Sequence, residues 1–161
     1  AGADGMDGVH VHMSNTLNTP AEVLETAYPL RVTDYSFRSG SGGAGEYRGG
    51  LGLRRDIEAL AETTFSLLAD RRTHRPYGLN GGEPGASGAD YLITDGAPEP
   101  IPAKSTHRLQ PGDVVSIRTP GGGGYGDPED RDPESIRQDL AAGKLSPDSA
   151  RSDYDFDPSG T

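Results

Sequence analysis

The sequence predicts an α+β fold: a β-rich body of short antiparallel strands with long Gly/Pro loops, followed by a small C-terminal helical tail. Three observations carry that expectation. Several short stretches alternate apolar and polar side chains with the two-residue period of a half-buried strand. They are punctuated by 24 glycines and 13 prolines among 161 residues. Two capped helical segments then sit together beyond Pro128.

Gly2, Gly5 and Gly8, with Asp4 and Asp7, make the opening read as a loop. Residues 9–13 alternate and read as a short strand that projects His10 and His12 the same way. Asn15, Thr16 and Asn18 supply turn-forming side chains. Thr19-Pro20-Ala21-Glu22 predicts a capping box with Pro20 in the first helical position, opening a helix over residues 20–27. Pro29 disfavours helical geometry at Tyr28 and ends it. Residues 30–38 form a strand with a register shift near Asp34; Leu30 and Val32 face inward, and Tyr35 and Phe37 are candidates to rejoin the core beyond the shift. Residues 53–60 and 63–69 are further strands whose Ala61-Glu62 separator suits a hairpin, with a helical turn over residues 57–60 as the alternative.

Residues 73–88 carry Pro76, Gly78, Pro84 and Gly85 among other breakers, and read as a long loop, ordered or disordered, of a length more often functional or interfacial than idle. Residues 91–94, 98–102 and 105–109 form short extended pieces, with a turn at Asp95-Gly96. Residues 113–119 make the strongest strand, entered through Pro111-Gly112 and left at Pro120. After a run of glycines, Asp132-Pro133 caps a helix whose Ile136, Leu140 and Ala141 share a face and which Gly143 terminates. Ser146-Pro147 caps a second, shorter helix to about residue 152. No internal repeat of fixed period is visible.

Composition limits what this chain can do alone. Leu, Ile, Val and Phe total 27 of 161 residues, below the roughly 20% at which a charged chain struggles to build a core. Glycine raises the entropic cost of ordering further. The chain is therefore expected to lean on a larger surface, either the rest of its own subunit or another chain. The formal charge of −10 comes from 25 acids against 15 bases; it argues against nucleic acid and anionic membranes as partners. Asp outnumbers Glu 16 to 9, and Lys occurs only at positions 104 and 144. That pattern suggests adaptation to high salt, where self-repulsion is screened within about 3 Å at molar ionic strength; the plain alternative is an ordinary acidic soluble protein. Without cysteine there are no disulfides, thiolate metal sites or Cys nucleophile. Nothing resembles a signal peptide or a membrane span, so the expected compartment is the cytoplasm.

His10 and His12 are candidate metal ligands, because two imidazoles side by side on a strand can bind one ion, with His74, His107 or a carboxylate as the third donor. The alternative is that they hydrogen-bond to backbone and order the following turn. Asn15 and Thr16 are candidates to line a substrate pocket and hold a cyclic amide through its carbonyl and ring N–H, or they are turn residues only. Asp70 and Arg71, with Arg72, end a strand; they orient substrate, contact a neighbouring subunit, or make a solvated ion pair worth little. The glycine runs lack the Gly-Lys-Ser/Thr ending of a phosphate-binding loop and the context of a dinucleotide fold. They read as tight turns and close backbone packing, and no ATP site is expected here. No Gly-x-Ser-x-Gly elbow supports serine catalysis.

Several motifs occur in order along the chain. They are His10-x-His12-Met13-x-Asn15-Thr16, Asn18-Thr19-Pro20 with Glu25, Tyr28-Pro29-Leu30-Arg31, and Gly42-Gly43-Ala44-Gly45 through Gly52. Asp70-Arg71, Gly78, Gly81-Gly82, Pro84-Gly85, Lys104, Leu109-x-Pro111-Gly112-Asp113 and the Gly121-to-Pro128 string follow. In these the chain resembles the C-terminal part of the hydantoinase B/oxoprolinase family. The resemblance implies an assembly with a hydantoinase A type subunit that binds ATP, in which a cyclic amide of the hydantoin or 5-oxoproline class is phosphorylated on its carbonyl oxygen and hydrolysed. Relatives in the same family carboxylate acetone or acetophenone. It also implies that ATP sits on the partner, that a divalent metal belongs to the full complex rather than to these residues, and that a separate N-terminal hydantoinase B portion is a further partner. Residues 1–128 would form the β-rich C-terminal region of such a subunit and residues 129–161 a helical tail with a disordered end. The rival of another class is a non-catalytic assembly module or gene remnant.

Overall fold

The computed structural model describes residues 2–10 and 18–159. Its elements are α1 (Ala21–Ala27), β1 (Leu30–Phe37), β2 (Leu53–Ala59), β3 (Thr63–Leu68), β4 (Ala89–Thr94), β5 (Ala97–Pro100), β6 (Lys104–Leu109), β7 (Val114–Arg118), α2 (Pro133–Ala141) and α3 (Pro147–Tyr154), with a 3₁₀ turn at Pro128–Asp130. The fold is α+β as expected: antiparallel sheet with three short helices, two of them at the C-terminal end.

Five strands form one sheet in the order β1-β2-β7-β4-β5, while β3 and β6 pair separately as a two-stranded ribbon. The strand read as strongest lies at the sheet's centre, with Val115 opposite both Ile57 and Leu92. Phe65 and Leu109 bring the ribbon onto that surface, closing a core of Ala59, Leu109 and Val115 against Phe65, Leu92 and Ile117. The expected hairpin between residues 53–60 and 63–69 is not formed. The short separator sends the chain out of the sheet, so β3 pairs with β6, Phe65 opposite His107. Asp95 and Gly96 both take positive φ, 51° and 78°, and close the β4–β5 hairpin.

The register shift in β1 falls between Val32 and Asp34. Tyr35 and Phe37 do not rejoin a core; they are 51% and 54% exposed on β1, an edge strand of the sheet. The expected capping box at Thr19 is also absent. Pro20 itself is the N-cap, with its carbonyl receiving the Leu24 amide at 3.1 Å and no side-chain cap. Glu25 instead reaches back to accept the Val32 amide at 2.8 Å, fastening α1 to β1.

The helical tail forms where its caps predict. The Asp132 carboxylate accepts from the Glu134 and Ser135 amides, the Ser146 hydroxyl from that of Ser149, and Gly143 turns the chain at φ 68°. Ile136 and Leu140 share the inner face of α2 as expected, whereas Ala141 is exposed and the buried Asp139 joins that face. Ile136, Leu145, Ala150 and Tyr154 pack with Ala44, so the tail shares a core with the glycine-rich middle of the chain.

That middle is the most unusual part of the molecule. Residues 41–52, 76–88 and 120–126 run past one another outside any sheet and are joined by backbone hydrogen bonds. The Gly43 amide donates to Gly122 O, that of Gly124 to Glu83 O, that of Glu83 to Ala44 O and that of Gly122 to Gly50 O, all at 2.8–2.9 Å. Gly121 lies on Ser41 and Gly124 on Ala44, a spacing of three on both segments, while Gly85 and Gly82 lie on Gly122 and Gly124. Three residues per turn is the repeat of an extended left-handed chain, which packs closely only where side chains are missing.

Candidate functional site

An open cleft of about 480 Å³ lies against the glycine bundle. Its walls come from the N-terminal segment (Met6, Val9, His10), from the 47–51 stretch, from Pro120–Gly123, and from Arg71 and Pro76 beyond them. Tyr47 and Tyr125 also line it, their ring centroids 6.5 Å apart and their backbones bonded reciprocally.

Residues 1–8 are read from sequence as a loop, and the described part of that stretch is one, fastened alongside residues 48–51. The Gly5 and Gly8 amides donate to Arg48 O and Leu51 O at 2.7 and 2.8 Å. In return, the carboxylates of Asp4 and Asp7 accept the Arg48 and Leu51 amides at 2.7 and 2.9 Å. Beneath this strap lies a buried charge network. Arg48 is 2% exposed and donates to Asp7 and Asp139, each at 3.1 Å. Arg131 forks onto both oxygens of Asp4 at 2.8 and 2.9 Å and reaches Asp139 at 2.7 Å. Lys144 pairs with the second oxygen of Asp7 at 2.9 Å, and the Arg131 guanidinium stands 5.6 Å from the Tyr154 ring centroid. Three cations and three carboxylates thus tie the segment bearing His10 to the helical tail.

Burial opposes the ionised forms of Asp4 and Asp7. For Asp4 the hydrogen bonds and charge of Arg131 and the Arg48 amide outweigh it; for Asp7 the bonds from Lys144 and the Leu51 amide, with Arg48, do the same. Both carboxyls therefore sit below their ordinary 3.8. A carboxylate with a lowered folded pKa adds stability that is complete above its unfolded value and lost as pH falls through the folded one. Urea midpoints are accordingly expected to hold from neutrality down to about pH 5 and to fall steeply below about pH 4. Asp4→Asn should lower the neutral-pH midpoint and flatten the acid limb; a variant with the wild-type limb would remove Asp4 from this account.

The structure places His10 and Arg71 on the same cleft. Asp70 is exposed and outside that lining, its carbonyl accepting from Arg72 at 2.8 Å, while Arg72 forks onto Asp90 at 2.7 and 2.8 Å. His12, Asn15 and Thr16 lie outside the described residues. His107 sits on the ribbon with Nε2 2.9 Å from the Ser105 hydroxyl, and His74 is exposed and does not line the cleft. Among the described residues, no group of three or more His, Asp or Glu could hold a metal ion, so no chemical step is assigned to a metal held by them. Nor, among those residues, is any helix long and apolar enough to cross a membrane. Arg48 and Asp139 are the residues that sequence reasoning missed. The nearest signal was Arg48 itself, an arginine set inside a glycine run.

Comparison with known proteins places these features in a family. Residues 1–128 match the Hydantoinase B/oxoprolinase family. An uncharacterized protein of Methanocaldococcus jannaschii is 51% identical over 138 residues, covering 86% of this chain and 24% of that protein. A 5-oxoprolinase of Arabidopsis thaliana is 44% identical over 124 residues, covering 76% of this chain and 10% of that one. Among solved structures, the ATP-dependent caprolactamase of Pseudomonas jessenii superposes with a TM-score of 0.78 at 28% identity, over 98% of this chain and 31% of its own. Nucleotide-free acetone carboxylase gives 0.74 at 23% identity, over 94% of this chain and 25% of its own, a likeness of fold. The chain thus spans between about a tenth and a third of the length of these proteins.

Proposed function

The chain belongs to the hydantoinase B/oxoprolinase family, and we propose that it is the C-terminal region of such a subunit and supplies one wall of the pocket in which a cyclic amide is opened by ATP-dependent hydrolysis. The observation that carries the reading is the cleft. The N-terminal strap, the glycine strings and Arg71, separated by up to about 120 residues, are brought to one apolar concavity by interactions that leave little freedom in the backbone. Hydrolysis of an amide needs a water-controlled pocket for an activated carbonyl, and an unfinished cleft is what one wall of such a pocket presents. The exposed Met6, Val9, Tyr77 and Leu79 near it, and Tyr35 and Phe37 on the sheet edge, support docking to the remainder of a hydantoinase B type subunit and to a hydantoinase A type subunit carrying the ATP site. A divalent metal of the complete enzyme belongs, in this reading, to that remainder. The cytoplasm is the compartment this places it in.

The test is ATP turnover by the assembly of this chain with those partners. Hydantoin or 5-oxoproline is expected to stimulate phosphate release and yield the ring-opened acid, with neither seen when this chain is omitted. Stimulation by a ketone with bicarbonate instead would make the assembly a carboxylase. Full activity without this chain would overturn the proposal.

A further inference from the structure

The charge of the cleft runs against that of the chain. The protein carries 25 acids and a formal charge of −10, yet among the described residues no Asp or Glu lines the cleft, where the basic side chains are His10, Arg48 and Arg71. The three are not equivalent. Arg48 is neutralised by Asp7 and Asp139 behind the wall, and its position is explained by that network. Arg71 has no such explanation. It is exposed, its carbonyl accepts the Gly88 amide at 2.9 Å, and among the described residues its guanidinium has no hydrogen-bond or ion-pair partner. Its neighbour Arg72 takes the nearby carboxylate, Asp90, with both prongs of its fork.

The backbone at Arg71 is left-handed, with φ 58°. That region suits Asn, Asp and Gly and is uncommon for a long side chain. The turn separates two successive arginines, sending one to Asp90 and leaving the other on the cleft. An unpaired, planar, permanently charged fork beside an apolar wall is matched best by a carboxylate, which it can bind through two parallel N–H···O bonds. A neutral ring amide offers it only a carbonyl.

We propose that Arg71 is the specificity-determining residue of this cleft and selects cyclic amides that carry a carboxylate over the uncharged ring. The proposal rests on reading the cleft as a substrate wall and adds the charge of the substrate to it. The carboxylate is distinguished from the other anion available to an ATP-dependent enzyme, a phosphoryl group, by what the variant changes.

The experiment compares wild type, Arg71→Lys and Arg71→Asn in the assembled enzyme, Asn being chosen because it accepts the left-handed backbone. Two substrates are used, a five-membered lactam bearing a carboxylate and the same lactam without it, at saturating ATP. Each KM and kcat is measured, together with equilibrium binding of the carboxylated lactam. Arg71→Asn should raise KM for the carboxylated lactam by about tenfold or more, the expected loss for one charge-assisted pair. Its kcat should be little changed and the uncharged lactam unaffected, with Arg71→Lys falling between. Equal losses on both lactams, or a rise confined to the KM for ATP when ATP is varied at saturating lactam, would overturn the assignment. If the wild-type assembly opens no cyclic amide, the proposed function fails by itself. The titration then still decides: binding lost in Arg71→Asn upholds the carboxylate site, and absence of binding to wild type removes it.

Discussion

Gly124→Ala is expected to abolish the fold, whereas Gly122→Ala, two residues away in the same run of four glycines, is expected to cost about 1 kcal/mol or less. An added Cβ at Gly121, Gly123 or Gly124 would fall inside the carbonyl oxygens of Ser41, Tyr77 and Ala44 respectively. These are backbone atoms, those of Ser41 and Ala44 already accepting the Ala86 and Glu83 amides, so they cannot swing away as a side-chain end could. At Gly122 the nearest atom is the Gly50 nitrogen at 3.1 Å, followed by its oxygen at 3.6 Å, a contact that a shift of a few tenths of an ångström relieves. Overpacking against mobile side chains typically costs about 1–3 kcal/mol. Against a three-segment backbone bundle the loss should exceed about 4 kcal/mol, a large share of the roughly 5–15 kcal/mol that holds a domain together. Urea midpoints for the four single alanine variants in the complete chain would show positions 121, 123 and 124 collapsing together and 122 standing near wild type. A uniform response along the run would mean that the glycines serve turn geometry and not close packing.

The same bundle marks the boundary of what sequence could convey. The missing Gly-Lys-Ser/Thr ending set the glycine runs apart from phosphate-binding loops as an expectation, and their close packing was legible from their density. Which strand of the bundle meets which was not, because a glycine carries no side-chain pattern that names its partner. Strand alternation predicted β1 with its shift at Asp34, and β7 at full strength. It failed for the pairing of β2 with β3, since loop length reports only that a hairpin is sterically open to the chain. Ile57 and Ala59 gain more by joining β1 and β7 in the sheet, and Phe65 gains by covering it. Tyr35 and Phe37 have the parity of core residues but lie on an edge strand and stay about half exposed. In the candidate site, His10 and Arg71 were visible by residue type. The network behind them was not, because Asp139 bonds partners 91 and 8 positions away, distances at which no local spacing rule operates.

Asp139 is where the second large effect is expected. Its carboxylate, 8% exposed, is shared between Arg48 and Arg131, whose side chains are 2% and 1% exposed. Burial disfavours the charged form of both arginines, yet both remain held as cations above their ordinary range by the surrounding aspartates, Asp139 with Asp7 for Arg48 and with Asp4 for Arg131. Asp139→Asn keeps the volume and removes the charge, leaving the buried cluster with Arg48, Arg131 and Lys144 against Asp4 and Asp7 alone. One uncompensated buried charge typically costs about 3–5 kcal/mol, and Arg131 already has an Nε without a partner, so little spare capacity exists to absorb it. A fall in urea midpoint of that size is the expected result, and Arg48→Met in the same background should cost less than it does alone, because the two side chains act as a unit. The consequence for the cleft follows from Asp7: once Arg48 is loosened, the strap that carries His10 loses its inner anchor. Amide exchange at Gly5 and Gly8, whose N–H groups bond to Arg48 O and Leu51 O, should accelerate in Asp139→Asn before the sheet amides of β7 respond. Unchanged exchange at those two glycines would show that the helical tail stabilises the chain without positioning the cleft.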